Sequence, residues 1–312
     1  MREILLEMLI CPACVPEELR LREKISRSAD GDIIEGVLAC TKCGSVYPIR
    51  DGIAYLDPKN TETKAPENRY ETEPLLSSYL WGHYGDLIGD TEVSDAYRQW
   101  AGLVRPGPGA CLDNGSAVGR FSFEMAKKSD FVVGVDNSVS FVRMSRNLML
   151  KRGVDFNLFE EGRITRRETI RFPDDWETGN TEFVVADAQT LPFSSGAFST
   201  VSSLNIVDKV PKPLIHLKEA DRVAAREKAQ LLFSDPFSWS TEVALEEDWL
   251  GGKLSGEFQG RGLDNVVELM EGRKQGLGSR WKVEQSGHIW WKIRNHSNHF
   301  ELIRSCFIKA AR

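Results

Sequence analysis

Between Ala110 and Ser138 the chain reads ACLDNGSAVGRFSFEMAKKSDFVVGVDNS, a run that few folds can accommodate. An apolar strand leads into a turn carrying Asp113, Gly115 and Gly119, then an amphipathic helix, then a β-branched strand ending at Asp136. A parallel strand feeding a helix gathers unpaired amide donors and the positive end of the helix dipole at the turn. Glycine there lets the backbone approach a ligand with no Cβ in the way. Asp136 falls 21 residues after Gly115, near the spacing at which an acid on the neighbouring strand takes both hydroxyls of a ribose. The run therefore predicts a βαβ unit that holds a nucleotide-like cofactor, against the plainer reading of a crossover with no ligand.

The turn departs from GxGxxG. It reads Asp-x-Gly-x-x-x-Gly-Arg, and an acid two residues before the first glycine repels a pyrophosphate and welcomes an ammonium. S-adenosylmethionine, with its zwitterionic amino-acid tail, fits this turn better than a nicotinamide cofactor.

Beyond Ala110 the pattern alternates strand and helix, as a doubly wound α/β sheet requires. Ser138 is suited to cap a helix running to Lys151, with Gly153 as its stop. Residues 157–181 are polar and irregular and read as a surface insertion, a β-ribbon whose Arg163, Arg166, Arg167 and Arg171 form a solvated face. EFVVADAQTLPF supplies a third strand ending at Asp187-Ala188, and the strand within FSTVSSLN ends at Asn205. A helix follows over PKPLIHLKEADRVAAREKA, then a fifth strand in AQLLFSDPF. The last two strands pair about His296-Ser297 as an antiparallel hairpin. Ahead of this domain, residues 75–104 read as helical, with Tyr79, Trp81, His83 and Tyr84 clustered.

Four of the six cysteines, Cys11, Cys14, Cys40 and Cys43, form CPAC and CTKC separated by 25 residues. Two such knuckles make a closed set of four thiolates, which points to structural zinc, with iron as the alternative metal. Asp30-Gly31 between them marks a hairpin. The chain of 312 residues thus divides into a zinc-ribbon domain over 1–57, a polar linker over 58–74 and a large α/β domain over 75–312. A net charge of −6 argues against a broad grip on nucleic acid, and the opening MREILLEMLI is interrupted by Glu3 and Glu7, so no membrane span is expected. Cytoplasmic residence is expected, with a small molecule as the partner and a homo-oligomer left open.

The first 57 residues resemble the small zinc-ribbon activator domain that partners tRNA, ribosomal RNA and release-factor methyltransferases, through the CPxC start, the second CxxC and the run VYPIRDGIAY. The rest resembles class I S-adenosylmethionine methyltransferases and, more narrowly, the mercaptohistidine N-methyltransferase domain of ovothiol biosynthesis. The narrower likeness rests on HYG at 83–85, AVGRFSFEMA at 117–126, VGVDNSVSFVR at 133–143, EEGRI at 160–164, NIVDKVPKP at 205–213 and SDPFSWSTEVALEEDWLGG at 234–252. Departures include Ser116 where that family carries cysteine, and Asp208-Lys209-Val210 where it carries DRL. The resemblance implies a Rossmann-like methyltransferase. Its cofactor would be held by Asp113, Gly115, Ser116, Gly119, Asp136, Asn137, Asp187, Ala188 and Asn205, and its candidate catalytic residues are His83, Tyr84 and Asp208. Trp239, Trp249, Arg294 and His299 are the candidates for substrate, an imidazole, amine or thiol. The alternatives are a methyltransferase of RNA or protein, and a non-catalytic cofactor-binding activator.

Overall fold

The computed structural model describes residues 1–58 and 69–312. At the amino end, β1 (Leu21–Ala29), β2 (Asp32–Cys40), β3 (Val46–Arg50) and β4 (Ile53–Ala54) form an antiparallel sheet in chain order. Asp30 and Gly31 turn β1 into β2 with φ of 51° and 75°, the pair of positive angles that a type I′ hairpin needs. Most of the linker expected over 58–74 lies outside the described residues. Its end is already structured, with a tight turn over Arg69–Glu71 and a helix that starts at Glu73.

The helical stretch expected over 75–104 is two helices, α1 (Glu73–Tyr84) and α2 (Ala96–Leu103). Gly89 takes the left-handed conformation at φ 76°, and Trp81 Nε1 donates to Asp90 Oδ2 at 2.7 Å, which folds the intervening loop back on α1.

The remaining elements are β5 (Ala110–Asn114), α3 (Arg120–Ala126), β6 (Phe131–Asp136), α4 (Val139–Lys151), β7 (Gly153–Glu161), β8 (Ile164–Arg171), β9 (Thr181–Val185), β10 (Thr200–Leu204), α5 (Pro213–Val223), β11 (Gln230–Asp235), α6 (Gly262–Met270), β12 (Lys282–His296) and β13 (His299–Ala311). Seven of these strands make one sheet in the order β12-β13-β11-β10-β5-β6-β9. Its five inner-domain strands are parallel, and β13 wedges antiparallel between β11 and β12. Every residue of β9 and β10 is buried, as expected of parallel strands covered on both faces. Among the described residues no helix is long and apolar enough to cross a membrane.

Ser138 caps α4 as expected, its Oγ accepting from Phe141 N at 3.2 Å. The stop is Arg152 at φ 55° rather than Gly153. Gly153 instead opens β7, where a Cβ would lie 2.5 Å from the Ile170 carbonyl oxygen of the paired strand, so the glycine answers to strand pairing. The ribbon β7–β8 packs on α1 and β12, and Arg294 Nη1 donates to Phe159 O at 2.7 Å. Two of its exposed arginines are neutralised locally: Arg166 sits 2.6 Å from Glu168, and Arg167 is 2.7 Å from Asp155.

The small sheet is joined to the large one along its β9 edge. Tyr55 bridges Val185 in parallel register and Leu56 N donates to Val185 O at 2.7 Å. This pairing covers an edge strand that would otherwise be open. One hydrophobic cluster runs through both halves, joining Leu5, Ile33, Leu38 and Leu56 to Val184, Leu191 and Phe193. Arg146 of α4 also ties the two domains: its Nη1 pairs with the buried Glu182 at 3.0 Å, its Nη2 meets Asp32, and its Nε donates to Asp51 O at 3.1 Å. Gly52, at φ 74°, lies under the guanidinium so closely that a Cβ would fall 2.1 Å from Nη2. The glycine of the RDGI run is thus required by a partner almost a hundred residues downstream.

Candidate functional site

Chain order moves from β5 through β6 to β9 on one side and from β10 to β11 on the other, so the direction of winding switches between β5 and β10. Ligands of open α/β sheets bind beyond the carboxyl ends of the strands at such a point. A cavity of about 490 Å³ lies there, within the ordinary range for a small-molecule site. Of the expected cofactor residues, Asp113, Gly115, Ser116, Asp136, Asn137, Asp187, Ala188 and Asn205 line it. Gly119 does not; at φ 85° it starts α3, with a would-be Cβ 2.9 Å from Phe183.

The turn after β5 works differently from expectation. The amides of Gly115 and Ser116 both donate to Val135 O at 2.8 Å, and that of Ala117 donates to Asp136 Oδ2 at 2.9 Å. These donors tie the turn to the end of β6 and are not free for a ligand. What the turn presents is side chains. Asp113 is clamped by Ser122 Oγ at 2.7 Å and Ser202 Oγ at 3.0 Å. Burial pushes its carboxyl up to about 6, against the pull of those two hydroxyls, and the charge of Asp136 adds to the push. Burial likewise raises Asp136 to about 6, against the amides of Ser138 and Ala117. Asn205 holds φ 57° immediately after β10, a left-handed conformation that asparagine tolerates better than most residues. Ser116 Oγ and Asn205 Oδ1 are buried atoms without a protein partner. Unsatisfied polar atoms on a cavity wall are what a polar ligand would satisfy.

Above these, the wall is aromatic: Tyr70, Tyr79, Tyr97, Phe121, Phe141 and Trp291, with His83 among them. His83 is 3% exposed, its Nε2 is 2.6 Å from Tyr97 Oη, and its Nδ1 has no partner. Burial, with the positive charge of Arg120, holds this imidazole well below its ordinary range, so it is neutral at physiological pH. Lys209 is the one cation lining the cavity among the described residues, and it lies 3.0 Å from Asp208 Oδ2.

The other candidates stand away from the cavity lining. Tyr84 is buried and donates to Val118 O at 2.7 Å. Asp208 lies behind Lys209 and also accepts from Ser238 N at 2.8 Å. Trp239 and Trp249 stack on each other at 6.1 Å, and Trp249 Nε1 donates to Ala244 O, so the pair braces the irregular segment after β11. Arg294 is consumed by Phe159 O and by Glu160 at 3.0 Å. His299 packs against His296 at the exposed hairpin tip.

Sequence reasoning passed over Asp57, Tyr70, Tyr97, Lys209 and Trp291. For Trp291 a signal existed: Ile289, Trp291 and Ile293 recur at every second position, the spacing of one strand face, and all three are buried.

At the other end of the molecule the four cysteine sulfurs lie within 4.8 Å of one another, with Cys11 to Cys43 at 3.6 Å and Cys14 to Cys40 at 3.9 Å. Tetrahedral zinc with bonds of ~2.3 Å sets its sulfurs about 3.8 Å apart, so the donor set fits that ion.

Residues 2–52 match the family model described as Trm112p-like protein, and residues 112–229 match the model described as a methyltransferase domain. The chain thus carries a methyltransferase domain on a Rossmann-like sheet, with a Trm112-like domain at its amino end. No curated protein matches the sequence. Similar solved structures include an S-adenosylmethionine-dependent methyltransferase from Aquifex aeolicus, 12% identical, covering 77% of this chain and 98% of its own, with a TM-score of 0.42. Another, from Methanosarcina mazei, is 18% identical, covers 64% of this chain and 91% of its own, and has a TM-score of 0.41. The 4+2 cyclase SpnF is 12% identical, covers 78% of this chain and 94% of its own, and has a TM-score of 0.50. That last likeness concerns the fold alone, and a cyclase on this fold is a reminder that fold does not fix reaction.

Proposed function

We propose that the protein transfers a methyl group from S-adenosylmethionine to a small molecule bearing an imidazole, amine or thiol nucleophile, the mercaptohistidine kind included. The observation that carries this reading is the shape and lining of the cavity: enclosed by aromatic rings, with carboxylates at Asp113, Asp136 and Asp187, and one cation already paired with Asp208. Such a chamber suits a compact, uncharged or cationic acceptor and is unsuited to a phosphate backbone.

The cofactor, when bound, supplies an electrophilic methyl group on a cationic sulfur. Asp113, both oxygens fixed by serine hydroxyls, is placed to hold an ammonium, and Asp136 to accept from sugar hydroxyls. Ser116 and Asn205 offer the polar atoms that no protein group satisfies. Tyr79, Tyr97 and Trp291 exclude water and restrict the approach of the acceptor. Neutral His83 orients the acceptor through Nδ1, while the Tyr97 hydroxyl on Nε2 fixes the ring. Tyr84 and Asp208 act from behind, the first anchoring the Val118 carbonyl and the second holding Lys209. The four thiolates hold structural zinc, and such a set of unpaired cysteines fits the reducing cytoplasm.

A second reading, methylation of RNA or protein, draws on the Trm112-like domain. In this chain that domain is already paired with the β9 edge of its own sheet, which argues against service to a separate subunit. Incubating the protein with methyl-labelled S-adenosylmethionine and a whole-cell extract that retains metabolites, RNA and protein, then locating the label by mass spectrometry, tests the proposal. Label in a small molecule supports it; label only in RNA or protein overturns it.

A further inference from the structure

The two ends of the connection between the domains both reach the cavity. Leu56 N donates to Val185 O, and this register carries Asp57 past the end of β9, beside Ala186 and Asp187. At the far end, Glu71 accepts from Val139 N at 2.8 Å, Ser140 N at 3.0 Å and Ser140 Oγ at 2.6 Å, closing the amino end of α4. Ser138 Oγ donates to Tyr70 O at 3.2 Å. Tyr70 is thereby fixed just past Asp136, its ring edge-on to Phe141 at 5.8 Å and to Tyr79 at 6.1 Å. Asp57 and Tyr70 thus both line the cavity next to the acids at the ends of β6 and β9.

We infer that the cofactor pocket is composite: Asp57, supplied by the strand that leaves the amino-terminal domain, and Tyr70, supplied by the entry to the large domain, bind the adenosine half of the cofactor. Three observations converge on this. Each is placed by a bond to the end of an element at the pocket: Asp57 follows Leu56, whose amide donates to Val185 of β9, and the Tyr70 carbonyl accepts from Ser138 at the start of α4. Each adds the chemistry adenosine calls for, a carboxylate that accepts from hydroxyl or amine donors and a ring that packs on a base. Both lie by their bonding next to the ends of β6 and β9, where Asp136 and Asp187 stand. The docking of the small domain then does more than cover a sheet edge, because it sets the position of a ligand-binding carboxylate.

This inference rests on the cofactor reading above, and one titration separates the two. Full-length protein is titrated with S-adenosylhomocysteine and, separately, with adenosine, for the unaltered chain and for Asp57→Ala, Asp57→Asn, Tyr70→Leu and Tyr70→Phe. The expected result is that Asp57→Ala and Tyr70→Leu bind both ligands roughly tenfold more weakly, with metal content and melting temperature unchanged. Tyr70→Phe retains affinity because the ring is kept. Should Asp57→Ala lower the melting temperature, Asp57→Asn, equal in size and lacking the charge, decides the matter by the same affinity criterion. Unaltered affinity in Asp57→Asn and Tyr70→Leu overturns the composite pocket while leaving the cofactor reading intact. Failure of the unaltered chain to bind overturns both.

Discussion

The small sheet and the large one solve the same problem by different means. In the large sheet β9 and β10 are buried along their whole length and the packing of helices on both faces holds them. In the small sheet β1 is exposed at eight of its nine positions, and what fixes that region is four cysteine sulfurs gathered at tetrahedral spacing together with apolar contacts shared with the large sheet. A domain of such a size rarely closes a sufficient core alone. The amino-terminal domain thus leans on four clustered thiols and on a core it shares with its neighbour, whereas the large domain adds to that shared core a cluster of its own.

The contrast is broken most visibly by taking away the zinc that the four cysteines are proposed to hold. Structural zinc contributes about 10–16 kcal/mol of apparent binding energy at neutral pH, all of it coupled to folding. Chelation, or Cys11→Ser with Cys40→Ser, is expected to disorder the small sheet while the large one stays folded. Tryptophan fluorescence reports this directly, because Trp81 is the first of eight tryptophans. A change in amide hydrogen exchange over residues 1–57 without a shift in tryptophan emission is the predicted outcome; simultaneous collapse of both would make the two halves one cooperative unit.

Next in size is the bond between the halves. Arg146→Met leaves the buried Glu182 only the Met1 ammonium at 3.9 Å and the amides of Arg2 and Phe183, a loss below the ~3–5 kcal/mol of a fully stranded charge. Urea denaturation should register it, and adding Glu182→Gln should restore part of the loss. A smaller effect, ~1–2 kcal/mol from the left-handed backbone alone, is expected for Gly52→Ala, with the displacement of Arg146 adding to it. If both substitutions are silent, the ribbon is held by its apolar contacts only.

The smallest effect is one of pH. Asp113 and Asp136 ionise near 6 in the folded chain and at ~3.9 when unfolded, so between these values the folded chain carries more protons. Stability of the unliganded protein should therefore fall as pH rises from about 4 to about 6 and then level. Affinity for a cofactor bearing an ammonium should move the opposite way, rising roughly tenfold per unit below pH 6 for each carboxyl that must ionise. Titrations at several pH values, with Asp113→Asn as control, read this out.

What could be read in advance follows from range along the chain. The Asp30-Gly31 turn, the Ser138 cap, the cysteine knuckles and the glycines at 115 and 119 are local signals, each answering to its own backbone. Tyr97, Tyr70 and Asp57 reach the cavity only because distant elements pack there, and no local pattern announces that; for Trp291 the local pattern marks a strand face but not the cavity. The same holds for Gly52, whose reason is Arg146, and for Gly153, whose reason is the Ile170 carbonyl. Trp239, Trp249, Arg294 and His299 show the converse, residue types suited to substrate binding that the fold spends on bracing loops or leaves at a hairpin tip.

In the proposed function, the cavity at the ends of β5, β6, β9 and β10 holds S-adenosylmethionine through Asp113 and Asp136. Isothermal titration of the full-length protein with S-adenosylhomocysteine, alongside Asp113→Asn, tests it most directly. The account predicts saturable binding at one site per chain and a loss of about tenfold or more in the variant, as expected when a charge-assisted bond of ~1.5–3 kcal/mol is removed. No binding by the unaltered chain, or equal binding by the variant, would contradict it.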